Sequence, residues 1–259
     1  ITNPIVLGMM SILEWTSYKS AHRLIGLSPG IVEGIKRHNI DDTKVTLIPN
    51  GCDLEIFGDV LKPWRPREVS SEDFMAVYTG THGIANGLDA VIDAASVIQN
   101  QGNKNIKFVL IGQSKLKPML QERVKDQELH NVIFLDPVAK TELAGLMASA
   151  DIGLQILANI PSFYYGTSPN KFFDYLSAGL PIITNYPGWV ADLIVEHECG
   201  YAVEPDNAEA FAQALYVAVQ EKKKLDDMGR QAAYLAKSKF SRKKLANEFT
   251  TWVEGAVIK

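Results

Sequence analysis

The residue types that can do chemistry are concentrated in one short stretch around residue 170. Ser168 is a good N-cap residue and Pro169 suits the first position of a helix, so a helix is predicted to begin there. The free amides of Asn170 and Lys171 would then point at one spot, and such an arrangement binds anions. Asp174 follows one turn later on the Asn170 face, where a carboxylate beyond a phosphate suits a ribose diol. The stretch therefore predicts a phosphate and sugar site, although the same pattern also begins helices that bind nothing.

A glycine-rich loop, Gly80–Gly87, follows the first predicted strand of the main unit and is a second candidate for ligand contact. Its three glycines allow the backbone to approach a ligand closely. It is neither a G-x-G-x-x-G nor a Walker loop, so dinucleotide and ATP binding lose their main support. His82 could hydrogen-bond a phosphate, although a loop histidine often has no such role. The next two strand ends offer Gly112 for close approach and Pro137 with Val138 as a surface for a base, and all three also suit ordinary turns.

The composition excludes several classes of function. The 259 residues are 46% hydrophobic with a net charge of −4 and no long run of lysine and arginine, so no nucleic-acid partner is expected. Neither an Asp-x-Asp pair nor a cluster of histidines and cysteines occurs, and we predict no tightly bound divalent metal and no cofactor. The serine-hydrolase motif Gly-x-Ser-x-Gly is absent. Two isolated cysteines, no signal peptide and no long apolar run predict a soluble protein of a reducing compartment.

Short apolar runs alternate with amphipathic segments over most of the chain. This alternation predicts an α/β fold, a Rossmann-like doubly wound parallel sheet with helices on both faces. Ligands of such sheets bind beyond the carboxyl ends of the strands, where the candidate loops lie. The predicted strands are Phe74–Tyr78, Ile106–Ile111, Val132–Leu135, Asp151–Leu157, Pro181–Thr184 and Tyr201–Val203.

The chain is predicted to divide into four segments. Residues 1–52 form a remnant of a second α/β domain, with a helix over 7–21, strands at 24–27 and 45–48, and a helix that begins at Ser28. A linker is predicted over 53–73, because the polar and proline-bearing stretch at 62–73 has few residues that could anchor it in a core. Residues 74–240 form the main unit. Residues 241–259 hold a last helix, predicted from Arg242 to Val257.

Together these motifs resemble the donor half of GT-B glycosyltransferases, specifically of glycosyltransferase family 4 and its bacterial surface-polysaccharide members. The resemblance covers nearly the whole chain. The motifs that carry it are Ile48–Asp53, Tyr78–Gly80, Val109–Gly112, Ala150–Leu154, Ser168–Tyr175 and Ala178–Ile183.

The resemblance implies a transferase that moves a sugar from a nucleoside diphosphate sugar to an acceptor, with retained anomeric configuration and without a metal. The family usually has two glutamates eight positions apart near the predicted helix. Asp174 takes the place of the second, which would hold the ribose hydroxyls. Gly166 takes the place of the first, so the carboxylate usually found near the transferred sugar is absent.

The residues that supply positive charge for the diphosphate are a second departure from the family. The usual Arg and Lys of the glycine loop are replaced by Thr81 and Asn86. The residues themselves offer a substitute in Lys171, beside the helix N-terminus, with His82 opposite. We predict Lys171 as the catalytic residue, because it would stabilise the negative charge of the leaving diphosphate. The predicted donor-binding residues are Gly80, Thr81, His82, Gly83, Asn86, Gly112, Pro137, Val138, Thr167, Ser168, Asn170, Lys171 and Asp174.

The same resemblance implies partners and a location. The donor is expected to be a UDP-sugar rather than a GDP-sugar, and the acceptor a saccharide or a polyprenyl-lipid-linked sugar. Residues 1–52 would be the tail of an acceptor-binding N-terminal domain to which the last helix crosses back, so the 259-residue chain alone would be inactive. The protein is expected in the cytoplasm, with peripheral association at the inner face of the cell membrane through the missing domain.

Two other functions would use the same nucleotide-binding site. A nucleotide-sugar epimerase of GT-B architecture would turn over donor alone, whereas a transferase would barely hydrolyse it. A non-catalytic nucleotide-sugar-binding module is favoured by the missing glutamate and the missing Arg and Lys, and activity of a longer chain would exclude it.

Overall fold

The computed structural model describes residues 3–58 and 62–256. The strands are β1 Leu24–Gly26, β2 Val45–Leu47, β3 Phe74–Thr79, β4 Ile106–Ile111, β5 Val132–Leu135, β6 Ile152–Gln155, β7 Ile182–Thr184 and β8 Gly200–Ala202. The helices are α1 Pro4–Ser20, α2 Pro29–Lys36, α3 Leu54–Gly58, α4 Asp89–Asn100, α5 Lys117–Asp126, α6 Lys140–Met147, α7 Pro161–Gly166, α8 Asn170–Ser177, α9 Trp189–Glu196, α10 Ala208–Gln220, α11 Lys222–Ser238 and α12 Arg242–Glu254.

The main unit is a six-stranded parallel sheet in the order β5-β4-β3-β6-β7-β8. Every residue of the central strand β3 is buried, because helices cover both faces of the sheet. The predicted Rossmann-like parallel sheet is confirmed. Strand β6 is shorter than predicted, because it ends at Gln155 and the Leu157 amide beyond it donates to Asn185 Oδ1 at 3.0 Å instead of to a strand.

The strand order reverses between β3 and β6, and the carboxyl ends of these two strands form the switch point at which such sheets bind ligands. Tyr175 of α8 reaches into this gap. The Thr79 amide donates to its hydroxyl at 3.1 Å, and the hydroxyl lies 3.2 Å from the Val77 carbonyl oxygen. A Cβ on Gly153 would lie 2.7 Å from the Tyr175 ring, so the ring requires a glycine on β6. Helix α8 is thereby fixed at the switch point.

The first residues form a small α/β unit. Strands β1 and β2 pair in parallel, and α2 begins with Ser28, whose Oγ accepts from the Ile31 amide at 3.3 Å. Helix α1 begins after Asn3, and none of its residues is buried. In the part of the chain that the structure describes, no helix is both long and apolar enough to cross a bilayer.

The segment 53–73 is attached to the main unit. Phe57 of α3 and Val69 are buried in its core, and the Trp64 indole donates to the Glu142 carbonyl oxygen at 2.7 Å. Arg65 forms an ion pair with Asp151 at 3.2 Å. The expectation that few of these residues are anchored in a core is therefore wrong, because aromatic and charged side chains spaced along the polar stretch hold it to α6 and the sheet.

The C-terminal segment returns to the first unit. The Cys52 amide donates to the Phe240 carbonyl oxygen at 2.7 Å, and the Arg242 amide donates to the Cys52 carbonyl oxygen at 3.0 Å. The Arg23 guanidinium lies 4.3 Å from the centroid of the Trp252 ring. Helix α12 begins at Arg242 as predicted, while Val257, its predicted end, lies outside the described residues.

Candidate active site

A cleft of about 560 Å³ opens at the switch point, between the glycine loop and the start of α8. It brings together eight of the predicted residues: Gly80, Thr81, Asn86, Thr167, Ser168, Asn170, Lys171 and Asp174. Its wall also includes apolar residues of the small unit and of α6, namely Leu27, Ile31 and Leu143. The cleft is therefore built by loops distant in sequence around one helix N-terminus.

Helix α8 begins one residue later than predicted. Pro169 is the N-cap residue and Ser168 does not cap the helix. Instead the Ser168 hydroxyl accepts from the Asn50 amide at 3.1 Å, and the Asn50 side chain donates to the Ser168 carbonyl oxygen at 2.6 Å. The predicted N-cap role of Ser168 is wrong, because the residue joins the turn after β2 to the cleft. The first amides of α8 still lack carbonyl partners within the helix.

Lys171 is a cation without an acidic partner among the residues that the structure describes. Its ammonium donates to Asn86 Oδ1 at 2.8 Å and to the Tyr78 hydroxyl at 3.2 Å, and it lies 4.6 Å from the centroid of the Tyr78 ring. Burial lowers the pKa of Lys171 to about 8, since no carboxylate in the described part of the chain offsets the loss of water. A bound diphosphate would supply that missing negative charge. The uncompensated charge of this side chain therefore favours the binding of an anion in the cleft.

The residues at the family's usual Arg and Lys positions hold Lys171 in place. Asn86 accepts from the ammonium, and its own amide nitrogen donates to the Thr81 hydroxyl at 3.0 Å. The Tyr78 hydroxyl donates to the Thr81 carbonyl oxygen at 2.7 Å. A Cβ on Gly80 would lie 3.3 Å from Cε of Lys171, so the loop glycine leaves room for the lysine. The glycine loop thus positions a cation instead of contributing one.

His82 is buried beneath the loop, with 1% of its surface exposed. Its ring lies 5.9 Å from the rings of Tyr78 and Phe134, and neither ring nitrogen has a hydrogen-bond partner among the described residues. Burial, followed by repulsion from Lys117, lowers its pKa to about 4. The expectation that His82 adds positive charge opposite Lys171 is therefore wrong. A neutral imidazole remains available as a hydrogen-bond donor.

The remaining predicted residues lie at the same edge of the sheet but do not line this cleft. Gly112 packs against the glycine loop, where a Cβ would lie 1.7 Å from the Gly80 carbonyl oxygen, so only glycine fits. Gly83 precedes a single 3-10 turn over residues 84–86. Pro137 is exposed and Val138 is half-buried in the turn after β5.

Asp174 lines the cleft and belongs to a charged network. The Lys140 ammonium lies 3.2 Å from Asp174 Oδ1 and 2.5 Å from Asp53 Oδ2, and Arg242 also forms an ion pair with Asp53. Burial raises the pKa of Asp174, and the charges of Lys140 and Arg242 oppose this. Asp53 lies near enough to raise that pKa further.

The sequence reasoning missed the partners of Asp174. Lys140 directly follows the strand-end loop after β5, and the rule that selected Pro137 and Val138 could have included it. Asp53 stood inside a recognised motif without an assigned role. No local signal points to Arg242, which is 189 positions from Asp53. Among residues 3–58 and 62–256, no three His, Cys, Asp or Glu side chains form a group that could hold a metal ion.

The sheet, its switch-point cleft and the helix N-terminus define a Rossmann-like α/β unit. The chain belongs to the family described as Glycosyl transferases group 1, whose model matches residues 73–221. It is 25% identical over 225 residues to D-inositol 3-phosphate glycosyltransferase of Paenarthrobacter aurescens. The aligned region covers 84% of this chain and 54% of that protein.

Solved structures of similar fold belong to GT-B glycosyltransferases. Sucrose-phosphate synthase from Thermosynechococcus elongatus matches with a TM-score of 0.78 and 16% identity, over 100% of this chain and 64% of that one. Anabaena HepE, in complex with UDP and glucose, matches with a TM-score of 0.77 and 15% identity, over 95% of this chain and 66% of that one. At these identities the likeness establishes the fold. The chain spans 54% to 66% of the lengths of these three proteins.

Proposed function

We propose that this chain is the donor-binding part of a retaining glycosyltransferase of family 4 that uses a nucleoside diphosphate sugar. The observation that carries the proposal is Lys171, which is held at the start of α8 by neutral groups and has no acidic partner within residues 3–58 and 62–256. In this role the α8 amides and Lys171 bind the diphosphate and stabilise it as it leaves. Lys171 is then the catalytic residue, and Asp174 binds the ribose hydroxyls.

The base and the acceptor are further parts of the proposal. UDP is favoured as the nucleotide, a choice supported by the fold shared with HepE, which was solved with UDP and glucose. The acceptor is a growing polysaccharide, linked to a polyprenyl lipid, at the inner face of the cell membrane. The motifs shared with bacterial surface-polysaccharide transferases support this choice.

Calorimetry with UDP, GDP and uridine tests the donor site of the 259-residue chain. We expect UDP to bind more tightly than GDP, and both to bind more tightly than uridine, because only the nucleotides carry a diphosphate. A chain that binds UDP no better than uridine would contradict the assignment of the diphosphate site. Incubation with donor alone separates a transferase from an epimerase, since only an epimerase converts donor without an acceptor.

The reaction itself is tested on a protein extended to the length of its relatives. We expect that protein to transfer radiolabelled sugar to a cell-membrane acceptor in the presence of a metal chelator, because α8 and Lys171 supply the charge at the leaving phosphate. The 259-residue chain alone is expected to be inactive. Strict dependence on added manganese would overturn the metal-independent mechanism, and robust transfer by the short chain would overturn the second expectation.

A further inference from the structure

Lys140 occupies an electrostatically unfavourable place. It is the first residue of α6, where the helix dipole disfavours a positive charge, and no side chain caps this helix. Two carboxylates offset that cost, since the ammonium lies 2.5 Å from Asp53 and 3.2 Å from Asp174. Together they raise the pKa of Lys140 despite its partial burial. The position of Lys140 therefore depends on these two acids.

The two acids that bind Lys140 differ in how many cations they are paired with. Asp53 also binds Arg242, whose guanidinium donates to the Gly51 carbonyl oxygen at 3.1 Å. Asp174 has Lys140 as its single ion-pair partner in the described part of the chain. Arg242 therefore supplies Asp53 with a second cation. The charge of Lys140 is consequently most important to Asp174.

The ionisation of Asp174 matters for the role assigned to it. Its side chain is 15% exposed, and this burial raises its pKa. An ionised carboxylate accepts hydrogen bonds from both hydroxyls of a ribose, whereas a protonated one must use an oxygen as a donor. Lys140 binds Oδ1 from the side of Asp53, while Asp174 lines the cleft. The cation can thus fix the carboxylate without occupying the cleft.

We propose that Lys140 is a positioning residue, which keeps Asp174 ionised and oriented for the ribose diol of the donor. This inference rests on the proposed function, because it assumes that a nucleotide ribose reaches Asp174. Lys140 does not line the cleft and acts on the nucleotide through Asp174. Asp53, which is itself bound by Arg242, in turn holds Lys140 at the junction where α12 begins.

The test compares UDP with 2′,3′-dideoxy-UDP, which lacks both ribose hydroxyls. The measured quantity is the ratio of the two affinities, determined by calorimetry on the 259-residue chain. We expect Lys140→Met to reduce this ratio about tenfold, the range of a hydrogen bond to a charged group, and to leave dideoxy-UDP binding unchanged. Lys140→Arg should preserve the ratio. Lys125→Met, at an exposed position of α5, is the matched control.

A double-mutant cycle with Asp174→Asn shows whether Lys140 acts through Asp174. In the Asp174→Asn background, Lys140→Met should no longer change the ratio, whereas a general loss of fold would weaken both nucleotides in both backgrounds. A wild-type preference for UDP that survives Lys140→Met overturns this inference and leaves the proposed function intact. A wild-type protein that binds both nucleotides equally overturns the ribose role of Asp174 and, with it, this inference.

Discussion

Two lysines, one lining the cleft and one outside it against Asp174, are in opposite electrostatic states. Lys171, which lines the cleft, is bound by the neutral groups of Asn86 and Tyr78, and burial lowers its pKa to about 8. Lys140, outside the cleft, is half-exposed and lies between Asp53 and Asp174, which raise its pKa.

The difference is that the charge of Lys171 has no counter-charge among the described residues, whereas the charge of Lys140 is paired within the protein. An unpartnered buried cation is costly in the empty protein and gains most when an anion arrives. A cation already paired with two carboxylates has little to offer a phosphate. Local charge balance is therefore the basis for proposing Lys171 as the binding lysine and Lys140 as the positioning lysine.

The largest effect is expected from Lys171→Met. UDP affinity should fall about a hundredfold, which corresponds to losing a charged hydrogen bond of about 3 kcal/mol, while uridine affinity should change little. Calorimetry with both ligands measures the difference. Lys115→Met, which removes an exposed lysine, should change neither affinity. Equal losses for UDP and uridine would show that Lys171 supports helix packing and does not bind the diphosphate.

A smaller loss is expected from Asp174→Ala. UDP affinity should fall about tenfold, within the 1–3 kcal/mol expected for a hydrogen bond to a buried charge. Here uridine should lose as much as UDP, because both ligands contain the ribose. The same titrations check this contrast with Lys171. Unchanged UDP affinity in a folded variant would remove Asp174 from the binding site.

The pH dependence of UDP binding is expected to follow Lys171. Below pH 8 the ammonium is charged in the free protein and affinity should be nearly constant. Above pH 8 binding requires the uptake of a proton, so affinity should fall by at most about tenfold per pH unit. Titrations between pH 7 and 10 measure this slope. Lys171→Met should show no such slope, and a slope that persists in the variant would assign the proton to another group.

The smallest effects concern stability without ligand, and the two lysines should differ in sign. The pKa of Lys171 is lowered on folding, so the unfolded chain binds more protons between pH 8 and 10.5 and stability rises with pH there. Lys171→Met should therefore stabilise the protein at pH 7, by about 1 kcal/mol, and this gain should shrink by pH 10. Lys140→Met should destabilise it, because Asp174 loses its partner. Urea unfolding at both pH values measures these differences.

The general fold could be predicted because it depends on local apolar periodicity. Runs such as Ile106–Ile111 and Val132–Leu135 have the residues and length of buried parallel strands, and the structure gives them those bounds. The positions of the candidate ligand-binding loops could be predicted from the carboxyl ends of the predicted strands. Lys171 was identified from the start of a helix, although the serine expected to cap that helix binds Asn50 instead.

The environment of the site could not be predicted, because it depends on contacts between distant segments. Nothing near His82 in the sequence indicates that Phe134 and Tyr78 enclose it and keep it uncharged. The pairing of Asp53 with Arg242 likewise requires the chain to return over 189 positions. Sequence patterns indicate which residues reach the sheet edge, whereas folding determines their burial and charge partners.

The contact between Tyr175 and Gly153 restricts how this protein can change in evolution. With the ring present, a side chain at 153 would lie 2.7 Å from it, and with the hydroxyl removed, the Thr79 amide would lose its partner at the switch point. The two positions are therefore expected to vary together among relatives. A lineage that acquires a larger residue at 153 must first replace the ring at 175, since the reverse order passes through a chain whose sheet and helix overlap.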